Sequence, residues 1–168
     1  IYISPFADIL AWCLMPNHFH LMVYTNCIEF EMIEQVTESH QLTRTRTLND
    51  SISILLRSYT RAINKQENRT GSLFQHRTKS LCLTDISGVT AAWFQTKHAT
   101  AINIIDPEKE YPQICFSYIH ENPVYAGIVK QSADWEFSSF QDHAGIRKGK
   151  LINRKRTSEF GLVINSES

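Results

Sequence analysis

The side chains best suited to chemistry are two histidines one residue apart, His18 and His20, and a distant tyrosine, Tyr118, followed four residues later by Asn122. On a strand successive side chains alternate faces, so His18 and His20 point one way and Phe19 the other. Two imidazoles about 7 Å apart on one face can share a divalent cation. The plain alternative is one packed ring and one solvated ring. Against it, a strongly apolar strand spends its one-face positions on core rather than on two titratable rings. On a helix Tyr118 and Asn122 share a face. A phenol at its ordinary pKa of ~10 is a poor nucleophile toward phosphorus unless a cation or a base lies close by. Asn122 could offer its amide oxygen to the cation that His18 and His20 hold. The alternative for this pair is an amphipathic core tyrosine and a helix C-cap, and spacing alone favours that alternative.

The elements that must position these groups follow from periodicity. Two apolar runs, Phe6 to Met15 and His18 to Tyr24, flank the breaker cluster Met15-Pro16-Asn17 and predict a hairpin of two buried strands. Asn26 to about His40 carries Phe30, Ile33 and Val36 at helical spacing, with acidic residues near its start, and predicts a short amphipathic helix. Thr43 to Asp50 is a polar connector. From Ser51 to Asn64 the stripe Ile52, Leu55, Leu56, Tyr59 and Ile63 predicts a second helix, which Glu67 to Gly71 ends. Leu73 to Leu83 reads as an extended segment ending in a third strand. Asp85 to Ile105 suggests a helix weakly. Pro107 and Pro112 both suit helix starts, and Ile114, Cys115, Tyr118 and Ile119 continue a helix that Asn122-Pro123 should end.

At 168 residues and 42% hydrophobic content, the chain can bury one core and is expected to form one domain. No apolar run is long enough to cross a bilayer, and no charged-then-apolar leader is present. Cys13, Cys27, Cys82 and Cys115 are scattered without a Cys-x-x-Cys pair, which argues against a zinc ribbon or a disulfide framework. Reduced, buried thiols in a cytoplasmic protein are expected. The formal net charge of zero excludes a uniformly basic nucleic-acid binder, but the charge is unevenly spread. Basic residues gather from Arg44 to Lys79 and from Arg147 to Arg156. Each run alone also fits a solvated face.

Five blocks occur in order: Leu14-Met15-Pro16-Asn17-His18-Phe19-His20-Leu21; Tyr59-Thr60-Arg61-Ala62-Ile63-Asn64-Lys65; Gly71-Ser72-Leu73-Phe74-Gln75-His76-Arg77; Tyr118-Ile119-His120-Glu121-Asn122-Pro123-Val124-Tyr125-Ala126-Gly127-Ile128-Val129; and Asp134-Trp135-Glu136-Phe137-Ser138-Ser139-Phe140. Together they resemble the single-tyrosine HUH (IS200-like) transposases, in particular the branch of REP-associated tyrosine transposases. The resemblance spans most of residues 8 to 145. It implies an α+β fold, a ferredoxin-like antiparallel sheet with helices packed on one face. The strand and helix that would precede Phe6 in such a fold are missing from this chain. One HUH transposase-like domain is expected over residues 1–145, N-terminally incomplete, followed by a basic, polar, loosely ordered tail over 146–168.

The resemblance further implies an enzyme that cleaves and rejoins single-stranded DNA through a 5′-phosphotyrosine intermediate. His18 and His20, with Asn122, match the ligands of Mg²⁺ or Mn²⁺, and Tyr118 matches the nucleophile. Because neutral imidazole is the binding form, activity should fall as pH drops through about 6.5. Arg57, Arg61, Lys65, Arg77 and Lys79 are candidates for phosphate contacts, and Arg147 to Arg156 for a trailing DNA-binding arm. Trp12, Phe74 and Trp93 could stack on unpaired bases, though each also fits a core position. The implied partner is single-stranded or hairpin DNA, with no membrane, and the protein acts as a monomer or homodimer. Two other functions fit the same residues. One is a hairpin-DNA-binding protein derived from such a transposase that no longer cuts; the other is a metal phosphodiesterase that uses water, with Tyr118 structural.

Overall fold

The computed structural model describes residues 2–37, 40–74, 80–84 and 107–164, with only the backbone considered at 33–37, 40–42 and 107–109. It is a mixed α+β structure. Strands β1 (Ala7–Leu14) and β2 (Phe19–Thr25) form an antiparallel hairpin, as the two apolar runs predict. Its turn is closed by the Met15 N–H donating to the His18 carbonyl at 2.8 Å. The register pairs Cys13 with His20 and Leu14 with Phe19, with an irregularity between Ile9 and Ala11.

The helix expected from Asn26 to His40 is instead a strand, β3 (Glu29–Thr37). The connector expected at Thr43 to Asp50 is largely β4 (His40–Thr47), paired antiparallel to β3. The reason is local. Glu29-Phe30-Glu31-Met32 alternates polar and apolar residues, and Thr43-Arg44-Thr45-Arg46-Thr47 alternates a β-branched residue with a long cation. Both patterns have period two and suit a half-exposed ribbon. Phe30 anchors this ribbon by packing its ring 4.8 Å from that of Phe6.

Helix α1 (Leu48–Gln66) begins three residues before the sequence expectation. Thr47 caps it, accepting from the Asp50 N–H while the Asp50 carboxylate accepts from the Thr47 N–H, a reciprocal capping box. Of the extended segment expected at Leu73 to Leu83, residues 75–79 lie outside the described residues, and the described remainder forms no strand. The helix suggested between Asp85 and Ile105 also lies outside them.

Helix α2 (Pro107–Tyr125) runs past the stop expected at Asn122-Pro123. Pro123 is fully buried, so packing compensates for its missing N–H. The actual stop is Gly127, at φ +69°: the Ile128 N–H returns to the Pro123 carbonyl and the Gly127 N–H to the Val124 carbonyl, a Schellman cap. Two short helices follow, α3 (Phe140–His143) and α4 (Arg154–Glu159).

Alternation along β2 divides the core in two. Met22 packs with Phe116 and Ile119 of α2, together with Ala11, Cys13 and Met15. Leu21 and Val23 join Ile3, Phe6 and Ala7 in a cluster that includes Leu48, Ile52 and Leu55 of α1. Since neighbouring strand residues face opposite ways, α2 covers one face of the hairpin and α1 gathers on the other. β2 carries apolar residues on both of its faces, so each face needs cover.

The segment after residue 146 is not the loosely ordered tail expected. Ile152 bridges to Ile9, the Asn153 N–H donates to the Ile9 carbonyl, and Ile152, Thr157 and Leu162 are buried. Residues 137–139 likewise hydrogen-bond β1, through Leu14 N–H to the Phe137 carbonyl and Ser139 N–H to the Trp12 carbonyl, both at 2.8 Å. The outer edge of β1 is therefore covered by backbone from the C-terminal quarter of the chain. No described helix is long and apolar enough to cross a membrane.

Candidate metal and nucleophile site

The hairpin turn places His18 just before β2 and His20 within it, with Phe19 sent to the opposite face toward Phe74. The two imidazoles meet edge to face, with ring centroids 5.0 Å apart. Tyr118, from the middle of α2, sets its ring 5.5 Å from that of His20, again edge to face. The structure thus brings His18, His20 and Tyr118 into one unbroken series of rings across the hairpin and α2. Tyr118 is 49% exposed, which removes the buried-core alternative for its ring.

The hydrogen bonds of the two histidines decide which nitrogens are available. The His18 Nδ1 lies 2.7 Å from the Asn17 Oδ1. An amide oxygen only accepts, so Nδ1 carries a proton, and Nε2 is the ring nitrogen left to face a cation. The His20 Nε2 is buried and has no hydrogen-bond partner among the described residues. Burial, and then the nearby His18, hold the His20 pKa below its ordinary value, so this ring stays neutral. The His20 nitrogen, beside a second imidazole, can serve as one donor to a divalent cation, which needs oxygen ligands as well.

Asn122 is buried on the turn of α2 after Tyr118, at 7% exposed, and its main chain continues the helix through the Ala126 N–H, so it is not a C-cap. Among the described residues no three of His, Cys, Asp and Glu come together as a metal-holding group. A cation here would rest on the two imidazoles and on oxygens from Asn122, water or a phosphate.

A second phenol lies close by and was not anticipated from sequence. Tyr125 stacks on Tyr118 with centroids 6.3 Å apart, and its hydroxyl donates to the Glu121 carboxylate. Burial and then this carboxylate push the Tyr125 phenol up to about 12. The more exposed Tyr118 is therefore the phenol suited to attack, and Tyr125 the one held back. The signal for Tyr125 was its position seven residues after Tyr118, two helical turns on the same face.

Arg57, Arg61 and Lys65 are exposed along α1, while Arg77, Lys79 and Trp93 lie outside the described residues. Phe74 packs between Phe19 and Tyr59. Trp12 lies beneath the Arg147 guanidinium, 5.5 Å from its ring centroid. Two members of the supposed trailing arm are committed to structure. Arg147 pairs with the buried Asp142 at 2.7 Å, and Arg156 binds Asp8 and Glu159 while covering the Tyr24 ring at 4.3 Å. Lys148, Lys150, Arg154 and Lys155 of that run remain exposed.

Compared with known proteins, this chain matches no family model, no curated sequence and no solved structure.

Proposed function

We propose that this protein is a metal-dependent single-tyrosine transposase, an endonuclease and ligase of single-stranded DNA whose nucleophile is Tyr118. The observation that carries this reading is the contiguous series His18–His20–Tyr118, in which two imidazoles stand beside a half-exposed phenol. The ferredoxin-like organisation that the sequence resemblance implies belongs to the same reading, and the packing of α2 over β1 and β2 supports it.

His18 and His20 would hold the cation, with Asn122 as a further oxygen donor. Mg²⁺ or Mn²⁺ supplies Lewis-acid chemistry there, offsetting charge on the phosphoryl oxygens. The chain's own residues do the rest. Asn17 fixes the His18 tautomer, and the hairpin holds both rings on the face that α2 packs against. The Tyr118 oxygen attacks phosphorus and releases its proton to solvent, which its exposure admits. The new bond joins Tyr118 to the 5′ phosphate; the bond to the 3′ oxygen breaks, and that oxygen takes up a proton to become a free hydroxyl. Return of a 3′-hydroxyl reverses the step and rejoins the strand, because the phosphotyrosine bond keeps the energy of the phosphodiester. Arg61 and Lys65, exposed on α1, are proposed phosphate contacts away from the reacting centre.

A labelled single-stranded oligonucleotide incubated with Mn²⁺ and run on a denaturing gel tests the reading. Wild type and Tyr125→Phe should leave protein attached to a DNA 5′ end, and Tyr118→Phe should not. Cleavage without attachment that survives Tyr118→Phe would point to a water nucleophile. DNA binding without cleavage would point to a binding protein.

A further inference from the structure

We propose that His120 is a positioning residue: bonded to Ser139, which is itself bonded to β1, it fixes the rotation of α2 that presents Tyr118 to His20. The bearing on catalysis rests on the transposase reading; the geometric claim does not.

His120 is 2% exposed, and its Nε2 lies 2.8 Å from the Ser139 Oγ, also fully buried. Ser139 is tied to one residue of β1 by three bonds. Its Oγ accepts from the Trp12 N–H at 2.9 Å, its N–H donates to the Trp12 carbonyl at 2.8 Å, and its hydroxyl donates to the same carbonyl at 3.2 Å. Trp12 neighbours Cys13, the cross-strand partner of His20. A path of hydrogen bonds thus runs from α2 through Ser139 to the strand pair that carries the metal-binding ring. His120 comes from the fourth sequence block and Ser139 from the fifth, and their meeting gives those blocks a shared task.

Elsewhere on α2, Gln113 bonds the Val163 backbone through both of its amide atoms, at 2.7 and 2.9 Å, but that tie reaches the C-terminal segment and not the strand paired with His20. Phe116 and Ile119 contribute apolar packing, which is not directional. Phe116, Phe140 and His143 surround the His120 ring with edge-to-face contacts, filling space without setting an angle by themselves. A buried imidazole costs free energy unless it is hydrogen-bonded, so an apolar side chain would serve packing better. Residues 118 and 120 are about 200° apart around the helix, at ~100° per residue. A turn of α2 by ~20° carries a group ~6 Å from the axis through about 2 Å. Displacement on that scale is enough to spoil attack on phosphorus.

The decisive measurement is made first on the protein without metal or DNA. The His20 ring carbon–proton resonance reports the edge contact with Tyr118, and Tyr118→Ala defines where it falls when that contact is lost. Ser139→Ala and His120→Leu should move it toward the Tyr118→Ala position, and His120→Gln, which keeps a nitrogen near the place of Nε2, should restore it. In nicking assays Ser139→Ala should lower kcat about tenfold with KM unchanged, and His120→Gln should retain most of the rate. If His120→Leu fails to fold, Ser139→Ala alone decides the matter. A His20 resonance that stays at its wild-type position in folded Ser139→Ala overturns the proposal, as does a rise in KM with kcat unchanged. Should the wild type not nick DNA at all, the functional reading fails, while the resonance still decides whether His120 positions α2.

Discussion

At the scale of single residues, the proposed chemistry depends on which nitrogen of each imidazole faces the cation. Asn17 makes that choice for His18, since its amide oxygen can be served only by a protonated Nδ1. Asn17→Ala removes the constraint, and Mn²⁺ affinity measured by calorimetry should fall about tenfold, the lower end of such effects. The alternation of faces on a strand was enough to put His18 and His20 on one side, and helical spacing was enough to put Tyr118 and Asn122 on another element's face. The partner of His18 was not legible, because an asparagine in a turn is already explained by turn chemistry. Nor was the role of Tyr125. Only the fold shows that its hydroxyl is engaged by Glu121 while Tyr118 is half exposed.

At the scale of elements, the hairpin and both long helices were legible from their periods, and β3 and β4 were not. Phe30, Ile33 and Val36 fit a helix as well as a strand, and the deciding contact, Phe30 on Phe6, is distant in sequence. The stop of α2 was misplaced because proline is a strong breaker in isolation, yet the buried Pro123 sits inside the helix and Gly127 ends it. The connection after α3 has an equally specific requirement. Asp142 accepts from Arg147 Nε and Nη2 and from the Gly149 N–H at 2.9 Å, and a Cβ at position 149 would collide with that carboxylate. Asp142→Asn should destabilise the protein by on the order of 3 kcal/mol, by leaving a partly buried guanidinium uncompensated. Gly149→Ala should act in the same direction through the clash. Thermal unfolding followed by circular dichroism checks both.

At the scale of the whole molecule, three neutral histidines make the fold sensitive to acid. Burial, and then the neighbouring His143, which disfavours a second positive charge, push His120 down to about 3; burial is also the chief cause that lowers His143 and His20. Unfolded, these rings titrate near ~6.5, so below that pH the unfolded chain takes up protons that the folded one refuses. Stability is complete above ~6.5 and drains away as the pH falls toward the depressed folded values. His120 alone accounts for roughly 2 kcal/mol between pH 7 and pH 5. Melting temperatures across that range should fall for wild type and fall less for His120→Gln. The C-terminal quarter matters as much. A chain ending at residue 136 lacks the strand-like segments that hydrogen-bond β1, and light scattering should record its self-association.

That closure by distant backbone also constrains biosynthesis. The hairpin leaves the ribosome early, whereas the residues that complete its border follow more than a hundred positions later. At ~5–20 residues per second, the interval is on the order of ten seconds. Throughout it a nascent ribbon with one unsatisfied row of amides and carbonyls must be kept from neighbouring polysomes. The order in which this chain's parts are made thus keeps that border open until its last quarter has emerged.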